Sequence, residues 1–155
     1  MWAEFVRRAE TPIGALTLAS DGEALCAVEF GGDSLRMDAV PVLLQAEREL
    51  AEYFAGRRKA FSVPLCMRGT AFQMEIWRAL ACIPYGETLS YGELAARIGR
   101  PKASRAVGMA NHNNPLPIFV PCHRVVGADG RLTGYAGGLE IKKFLLELEG
   151  IHVKI

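Results

Sequence analysis

The spacing of apolar residues changes near residue 66, and this change constrains the fold of the 155-residue chain more than any other feature. Before it, apolar-rich runs at residues 13–19 and 24–30 flank Asp21-Gly22, a dipeptide typical of β-hairpin turns. After it, apolar residues recur every three or four positions, as they do on one face of a helix. This order of patterns favours two small domains of different kinds.

The N-terminal part of the chain predicts a small α/β domain with an antiparallel sheet. Residues 42–54 carry a helical stripe of apolar side chains that ends at Gly56, and residues 60–65 have the composition of one more strand. The remainder predicts a mainly helical domain. The fold class is therefore α+β, with domains at residues 1–66 and 67–155.

Two short helices joined by a glycine-containing turn are predicted in the second domain. The first, residues 91–98, begins after Ser90, which forms with Glu93 a capping-box pattern that satisfies free backbone N–H groups. Gly99 ends it, and residues 102–112 form the next helix. This arrangement predicts a helix-turn-helix, a motif that also occurs in many proteins that never bind DNA.

Positive charge is concentrated in this second domain. The formal net charge of the whole chain is only +1, which by itself argues against a nucleic-acid-binding protein. Residues 1–66 carry seven basic and ten acidic residues, whereas residues 67–155 carry eleven and seven. No acidic residue lies between Glu93 and Asp129, so a local positive field is predicted there.

The second of the two short helices has a basic face with no acidic residue to compensate it. Arg105, Met109 and His112 recur at spacings of four and three residues, so we expect them on the outward face with Lys102. The small residues opposite are expected to pack inward: Ala103, Ala106, Val107 and Ala110. Surface helices usually mix both signs of charge, and this pattern therefore favours a nucleic-acid interface.

One of the four cysteines is set apart by its neighbours. Cys122 is followed directly by His123 and Arg124, and a positive environment favours the nucleophilic thiolate. Adjacent residues rarely point the same way, so we expect a bridging water between Cys122 and His123, with Glu147 or Glu149 orienting the imidazole. The other cysteines are expected to be reduced thiols far from any histidine: Cys26, Cys66 and Cys82.

The residues around this cysteine resemble the active-site motif of the O6-alkylguanine-DNA alkyltransferases, also called methylated-DNA–protein-cysteine methyltransferases. The motif here is Pro121-Cys122-His123-Arg124-Val125. Further segments resemble the family in order and spacing across residues 69–150: Gly69-Thr70, Phe72-Gln73, Ile83-Pro84, Ser90-Tyr91, Arg105-Ala106-Val107-Gly108, Asn114-Pro115, Gly134-Tyr135, Gly137-Gly138, Leu145-Leu146 and Glu149-Gly150. The N-terminal third is similar only through Thr11-Pro12-Ile13-Gly14.

The resemblance implies a DNA-repair protein that moves an alkyl group from O6 of guanine in double-stranded DNA to its own Cys122. His123 would relay the thiol proton through water, Glu149 would orient His123, and Asn114 would support the active-site turn. Because nothing in such a site can cleave the thioether product, each molecule would act once. The preference among alkyl groups and the activity on O4-alkylthymine stay open.

The resemblance also implies how DNA is held. The second short helix would enter the minor groove, with Arg105 filling the gap left by a guanine that rotates out of the duplex, and Tyr91 contacting the flanking phosphate and the purine. The other expected DNA contacts are Ala103, Ala106, Ala110 and Arg124. The expected pocket residues are Tyr91, Val125, Tyr135, Ala136 and Gly137. Some relatives have serine at position 136, so Ala136 offers only its backbone N–H.

The fold implied by the resemblance is a ribonuclease H-like N-terminal domain and a C-terminal domain with a winged-helix-like helix-turn-helix. Some relatives hold a structural zinc through Cys and His ligands, but this chain has no histidine before His112, so we expect no metal and no cofactor. The sequence shows no signal peptide, no apolar run of membrane-spanning length and no CxxC pair. We therefore expect a monomer in a prokaryotic cytosol.

Two other classes of function are compatible with parts of the pattern. An alkyltransferase-like protein recognises O6-alkylguanine and leaves repair to other proteins, but such proteins lack the acceptor cysteine that this chain has as Cys122. A Cys–His hydrolase would need an oxyanion hole and would turn over repeatedly. The ordered set of motifs favours the alkyltransferase.

Overall fold

The structure is a computed structural model that describes residues 4–153. It begins with a three-stranded antiparallel sheet. Its strands lie in the order β1 (Phe5–Thr11), β2 (Gly14–Ser20) and β3 (Leu25–Phe30). The predicted strand pair around Asp21-Gly22 is present as β2 and β3. Strand β1 was not predicted, because the charged pair Arg7-Arg8 interrupts its apolar pattern.

Helix α1 (Pro41–Phe54) packs against all three strands of this sheet. It covers the predicted residues 42–54 and is followed by Gly56 at a φ of 75°, a left-handed conformation that favours glycine. The side chains between the helix and the sheet are fully buried, and Leu16, Leu18 and Leu43 are among them. Burial of this apolar face stabilises the N-terminal unit.

Residues 60–65 do not form the strand that their composition predicts. The buried carboxylate of Glu49 in α1 accepts hydrogen bonds from the N–H groups of Ser62 at 2.8 Å and Val63 at 3.1 Å. A side chain therefore satisfies donors that a neighbouring strand would otherwise have to satisfy. The segment meets the sheet through a single-residue bridge between Leu65 and Leu25.

The chain divides into two compact units, one that ends at Arg68 and one that begins at Gly69. The elements of the second unit are α2 (Ala71–Ala81), β4 (Leu89–Ser90), α3 (Tyr91–Arg97), α4 (Ser104–His112), β5 (Val125–Val126) and α5 (Leu139–Leu148). Strands β4 and β5 pair in parallel. Residues 1–3 and 154–155, at the outer ends of the two predicted domains, lie outside the described residues. No helix within residues 4–153 is long and apolar enough to cross a membrane.

Helices α3 and α4 lie where the sequence predicts a helix-turn-helix, and they pack against each other. The capping box at the start of α3 is present: Ser90 Oγ accepts from the N–H of Glu93 at 3.0 Å, and Glu93 Oε1 accepts from the N–H of Ser90 at 2.9 Å. Gly99, at a φ of 77°, lets the chain turn away from α3. The predicted boundaries of the two helices differ from the observed ones by one or two residues.

The apolar segment between Leu116 and Val120, whose composition is that of a strand, forms a tight turn. Pro117 has no backbone N–H to offer a neighbouring strand, and Ile118 has a φ of 77°, which extended backbone does not allow. The N–H of Val120 donates to the carbonyl of Leu116 at 2.9 Å and closes the turn. A one-turn 3-10 helix, Cys122–Arg124, follows.

Candidate active site

The thiol of Cys122 is buried in this 3-10 turn, directly before β5. The residue is 5 % exposed. Burial raises the pKa of Cys122 to about 11. The side chains of Asn114 and Tyr135 and the positive charge of Lys142 oppose this rise without cancelling it. The thiol is therefore protonated at neutral pH and needs a base before it can attack.

Glu149 orients the side chain that can act as this base. Its Oε2 lies 2.7 Å from His123 Nε2, and both side chains are fully buried. Because a carboxylate only accepts hydrogen bonds, the proton of the neutral imidazole is on Nε2, and Nδ1 carries the lone pair. The residues alone left Glu147 and Glu149 open, and the resemblance implied Glu149. The structure brings Glu149 to His123, whereas Glu147 is exposed.

His123 is held in its neutral form. Burial lowers its pKa, the charges of Arg124 and Lys142 act in the same direction, and Glu149 opposes them. His123 Nδ1 makes no hydrogen bond to any other described residue. A neutral imidazole whose Nδ1 has a lone pair available can take up a proton at neutral pH.

Arg124 fixes Glu149 from the other side. Its Nε and Nη2 donate to the two carboxylate oxygens at 2.8 and 3.0 Å, its Nη1 donates to the carbonyl of Ile83 at 2.6 Å, and its guanidinium lies over the ring of Tyr85. The N–H of Gly86 also donates to Glu149, at 3.1 Å. Arg124 was expected to contact DNA. The structure instead buries it against Glu149, so this expectation is wrong. Its charge is paired with Glu149, so it is not the free charge that was expected to favour the thiolate of Cys122.

Asn114 holds the turn that leads to the thiol. Its Nδ2 donates to the carbonyl of Val120 at 2.8 Å, and its Oδ1 accepts from the N–H of Leu116 at 3.0 Å. One buried amide thus satisfies a donor and an acceptor of the tight turn, and it also lowers the pKa of Cys122. This position agrees with the supporting role that the resemblance implies.

The basic face of α4 is open to solvent. The expected outward residues are all exposed: Lys102, Arg105, Met109 and His112. Val107 and Ala110 are buried, as expected of the inward face, but Ala106 is exposed and Ala103 half-buried. Ala103 and Ala106 therefore remain open to a close approach by DNA, whereas Ala110 packs inside the protein.

A cavity of about 460 Å³ lies beside this face. Its lining residues are Tyr91, Ser104, Arg105, Gly108, His112, Thr133 and Gly134. The hydroxyls of Tyr91 and Thr133 are hydrogen-bonded to each other at 2.7 Å. The structure thus brings together Tyr91 and Arg105, two of the residues that the resemblance assigns to DNA.

The segment that follows this cavity carries the expected pocket residues. Tyr135 is buried and its side chain lowers the pKa of Cys122, Ala136 is exposed, and Gly137 is half-buried. Val125 differs from the others because it is fully buried in β5, within the core. Of the expected pocket side chains, Tyr135 is thus the one that acts on the pKa of the thiol.

Two buried polar residues near the thiol were not expected from the sequence. Asn111 Nδ2 donates to the carbonyl of Cys122 at 3.4 Å, and Lys142 hydrogen-bonds two carbonyls of the same unit. The helical period could have identified Lys142, since it shares the buried face of α5 with Leu145 and Leu146. A lysine side chain is almost never fully buried unless it is paired, so a buried lysine on an apolar helix face is a candidate functional residue.

Three potential metal ligands meet in the N-terminal unit. The donor atoms of Asp21, Cys26 and Cys66 lie within 4.8 Å of one another. Structural zinc sites have four ligands, and here Arg68 donates to Cys66 Sγ at 3.2 Å and lies 3.9 Å from Asp21. A guanidinium in this position disfavours a cation, so these residues do not fit a zinc site, and the absence of a metal stays a prediction.

Comparisons with known proteins agree with this geometry. The family model described as "6-O-methylguanine DNA methyltransferase, DNA binding domain" matches residues 71–151, and the one described as "6-O-methylguanine DNA methyltransferase, ribonuclease-like domain" matches residues 6–67. Both units of the chain are thus covered by the two domains of one family.

Individual relatives are similar over nearly their whole length. A methylated-DNA–protein-cysteine methyltransferase of Methanosarcina acetivorans is 54% identical over 149 residues, which are 91% of this chain and 95% of the relative. A constitutive methyltransferase of the same name from Bacillus subtilis is 48% identical, with 94% and 95% covered. The crystal structure of Mycobacterium tuberculosis OGT in complex with DNA superposes with a TM-score of 0.87 at 48% identity, with 94% and 92% covered. The chain therefore belongs to the 6-O-methylguanine DNA methyltransferase family.

Proposed function

We propose that this protein repairs DNA by transferring an alkyl group from O6 of guanine to Sγ of Cys122. The observation that carries the proposal is a buried thiol followed by a neutral histidine whose Nε2 is held by Glu149 at 2.7 Å. This arrangement supplies a nucleophile, a base and an orienting group. The names of the relatives, methylated-DNA–protein-cysteine methyltransferases, support the same reaction.

The first step is removal of the thiol proton. Burial raises the pKa of Cys122 to about 11, so few molecules hold a thiolate at neutral pH. The lone pair on His123 Nδ1 accepts the proton through a water molecule, because side chains of adjacent residues rarely point the same way. Glu149 then stabilises the imidazolium through Nε2.

The second step is an in-line displacement at the alkyl carbon. A sulfur lone pair forms the S–C bond while the C–O6 bond breaks, and its electrons pass to the guanine. The guanine takes up the proton that the thiol released, so the overall exchange is one alkyl group for one proton. Sulfur and guanine supply all the electrons, and the reaction needs no cofactor.

The product limits each molecule to one reaction. A dialkyl thioether has no acidic proton, and neither His123 nor Glu149 can break its C–S bond by acid or base catalysis. The site is therefore consumed with each lesion. All the groups involved lie in one chain, so one protein molecule accounts for one lesion, in keeping with the expected monomer.

The burial of Cys122 requires that the guanine leave the base stack. The thiol lies in a residue that is only 5 % exposed, so a base paired within the duplex cannot reach it. We propose that α4 docks in the minor groove through Ala103 and Ala106, that Arg105 fills the gap in the stack, and that Tyr91 meets the displaced nucleotide at the cavity it lines with Arg105.

The substrate class that fits these groups is double-stranded DNA with an O6-alkylguanine. The exposed positive charges of α4 attract phosphates without reading a base sequence. The guanine itself would meet Tyr135 and the backbone N–H groups of Ala136 and Gly137. The buried Arg124 acts in this account by positioning Glu149.

The proposal is tested by locating the transferred group. We expect incubation with a duplex that contains O6-methylguanine, followed by proteolysis and mass spectrometry, to place one methyl group on the Cys122 peptide. Cys122→Ser should give none, whereas Cys82→Ser, which removes an exposed thiol, should react like the wild type.

Other outcomes identify the alternatives. Tight binding of the modified duplex with no methyl group on any cysteine would identify an alkyltransferase-like protein. Repeated ester cleavage that is lost in Cys122→Ser would identify a hydrolase. A methyl group on Cys26, Cys66 or Cys82 would contradict the assignment of the acceptor.

A further inference from the structure

Two cysteines of the N-terminal unit lie close together, and the reaction described above uses neither. The sulfur atoms of Cys26 and Cys66 are within 4.8 Å of each other, and both residues are free thiols. Cys26 is 0 % exposed, whereas Cys66 is half-buried. The pair thus combines a sulfur inside the core with one that a small molecule can reach from solvent.

The backbone holds the two cysteines side by side. The N–H of Cys66 donates to the carbonyl of Leu25 at 2.8 Å, and the N–H of Leu25 donates to the carbonyl of Pro64 at 2.8 Å. These bonds form the parallel bridge between Leu25 and Leu65, and each cysteine directly follows one of the bridged residues. Neighbouring strands lie about 4.8 Å apart, and disulfides join Cα atoms about 4.4–6.8 Å apart. The spacing of the two chain segments therefore suits a disulfide.

Cys26 also occupies an irregular position in the sheet. Ala19 of β2 pairs with Ala27 of β3 and Ser20 pairs with Leu25, which leaves Cys26 as the extra residue of a β-bulge. A bulge bends its strand and changes the direction of the side chain that it carries. The regular alternation of β3 is thus interrupted at the residue whose sulfur meets Cys66.

The charges around the pair favour sulfur chemistry over metal binding. Arg68 Nε donates to Cys66 Sγ at 3.2 Å, and the same guanidinium lies 3.9 Å from the carboxylate of Asp21. An N–H group of a cation directed at sulfur stabilises negative charge on it, and the thiolate is the form that attacks a disulfide. Burial raises the pKa of Cys26 to about 11, so this thiol is the less reactive of the two. We therefore expect Cys66 to react first and Cys26 second.

We propose that Cys26 and Cys66 are a dithiol pair that small-molecule disulfides, such as glutathione disulfide, convert reversibly to an intramolecular disulfide. The thiolate of Cys66 attacks one sulfur of glutathione disulfide, and the S–S bond breaks to release a glutathione thiolate. The sulfur of Cys26 then attacks Cys66 in this mixed disulfide, and its proton passes to the second glutathione as it leaves. The two cysteines lose two electrons and two protons, and one glutathione disulfide becomes two glutathione molecules.

The disulfide would fix the last segment of the N-terminal unit to its sheet. In the reduced protein, residues 60–65 form no strand, and the segment meets the sheet through a single-residue bridge. A covalent link between β3 and this segment removes conformational freedom from the unfolded chain and so stabilises the folded unit. Cys122 lies in the other unit and is buried, so we expect it to stay reduced. The inference does not depend on the proposed function.

Peptide mapping of the wild-type protein tests the proposal. The protein is reduced with dithiothreitol, moved into an excess of glutathione disulfide at neutral pH, blocked with N-ethylmaleimide and digested without reduction. We expect one disulfide-linked peptide pair, which joins Cys26 to Cys66, and we expect dithiothreitol to restore both thiols. The same reaction in concentrated urea should give a mixture of pairings among the four cysteines, because the fold no longer selects one.

Variants test the order of the two steps. Cys66→Ser should form no linked peptide, whereas Cys82→Ser, the control that removes an exposed thiol, should behave like the wild type. Cys26→Ser should keep glutathione on Cys66, because no second thiol displaces it. If Cys26→Ser does not fold, the peptide map of the wild type still decides whether the pair forms.

Urea denaturation measures the consequence for stability. We expect the oxidised wild type to unfold at a higher urea concentration than the reduced wild type, and we expect Cys66→Ser to unfold at the same concentration under both conditions. The proposal would be overturned if native wild type kept glutathione on Cys66 without forming the link, or if native and urea-unfolded protein gave the same mixture of pairings. An unchanged unfolding midpoint in linked protein would overturn the assignment of the disulfide as a stabilising tie. Linked protein that gains no alkyl group from O6-methylguanine DNA, even after reduction, would contradict the proposed function and leave the dithiol pair supported.

Discussion

At the scale of single residues, the candidate site depends on the carboxylate of Glu149. It accepts hydrogen bonds from His123, from Arg124 and from the N–H of Gly86. His123 and Arg124 are adjacent in the sequence and Gly86 comes from a distant segment, and the side chains of Glu149, His123 and Arg124 are all buried. The charge of Glu149 balances that of Arg124, so its removal would leave a guanidinium buried without a counter-charge.

The first prediction concerns this charge. We expect Glu149→Gln to lower the free energy of unfolding by about 3 kcal/mol, the usual cost of breaking a buried ion pair by removing one partner. Urea denaturation at neutral pH measures the change. Glu147→Gln, an exposed position on the same helix, is the control and should change stability by less than about 0.5 kcal/mol. Equal effects of the two substitutions would contradict the central role of Glu149.

The second prediction concerns the protonation of His123. Burial holds its pKa below the ordinary value of 6.5, so in acid the unfolded chain binds a proton that the folded protein does not. This contribution to stability is complete above about pH 6.5 and is lost as the pH falls towards the lowered pKa.

Urea denaturation at about pH 7 and pH 5.5 measures this loss. We expect His123→Gln to lose less stability between the two pH values than the wild type does. His112→Gln, at an exposed position of α4, should keep the wild-type loss. The prediction fails if His123→Gln has the wild-type dependence on pH.

Sequence reasoning found Cys122 and His123 because they are adjacent and belong to a motif. It could not place the guanidinium of Arg124, because the position of that group depends on Glu149, which lies 25 residues away. It also expected the local positive charge to favour the thiolate, whereas burial of Cys122 dominates. Burial and long-range pairing are properties of the folded chain and have no local signature.

At the scale of elements, α4 is the helix that determines how the site would meet DNA. Arg105 and Met109 are exposed on it, and its last turn is joined to the acceptor turn through Asn111. Trp77 of α2 donates to the carbonyl of Ala110 at 2.9 Å and fixes the buried side of α4. The helix therefore presents a basic face from a firmly packed position.

The third prediction concerns this face. If Arg105 fills the gap left by an extruded guanine, Arg105→Ala should slow transfer from a duplex far more than transfer from free O6-benzylguanine, which needs no extrusion. Single-turnover rates with both substrates measure the difference. Arg78→Ala, an exposed arginine on α2, controls for the loss of a surface charge. Equal slowing for duplex and free base would contradict the proposed role.

The elements were predicted best where a local signal is strong. The capping box at Ser90 and the apolar stripe of α1 gave helices at the expected residues. The strand predicted at residues 60–65 is absent because the carboxylate of Glu49 accepts from its N–H groups. Leu116 to Val120 has the composition of a strand, but proline and a left-handed Ile118 close a turn there. In both cases a tertiary contact or a single backbone angle overrides composition.

At the scale of the whole molecule, the distribution of charge matters more than its sum. The net charge of +1 is an average over an acidic N-terminal part and a basic C-terminal part. Within the basic part, Arg124 is paired with Glu149 and Lys142 is buried, so neither is available to phosphates. The exposed positive charge that remains for DNA includes Lys102, just before α4, and Arg105 on α4.

The central claim is that each molecule accepts one alkyl group on Cys122 and then stops. Intact-protein mass spectrometry during incubation with an excess of O6-methylguanine duplex measures this most directly, with restored guanine counted in the same samples. We predict that every active molecule gains one methyl group, that one guanine is restored for each, and that the reaction then ends. Repair of many lesions by one molecule, or repair with no gain of mass on the protein, would contradict the account.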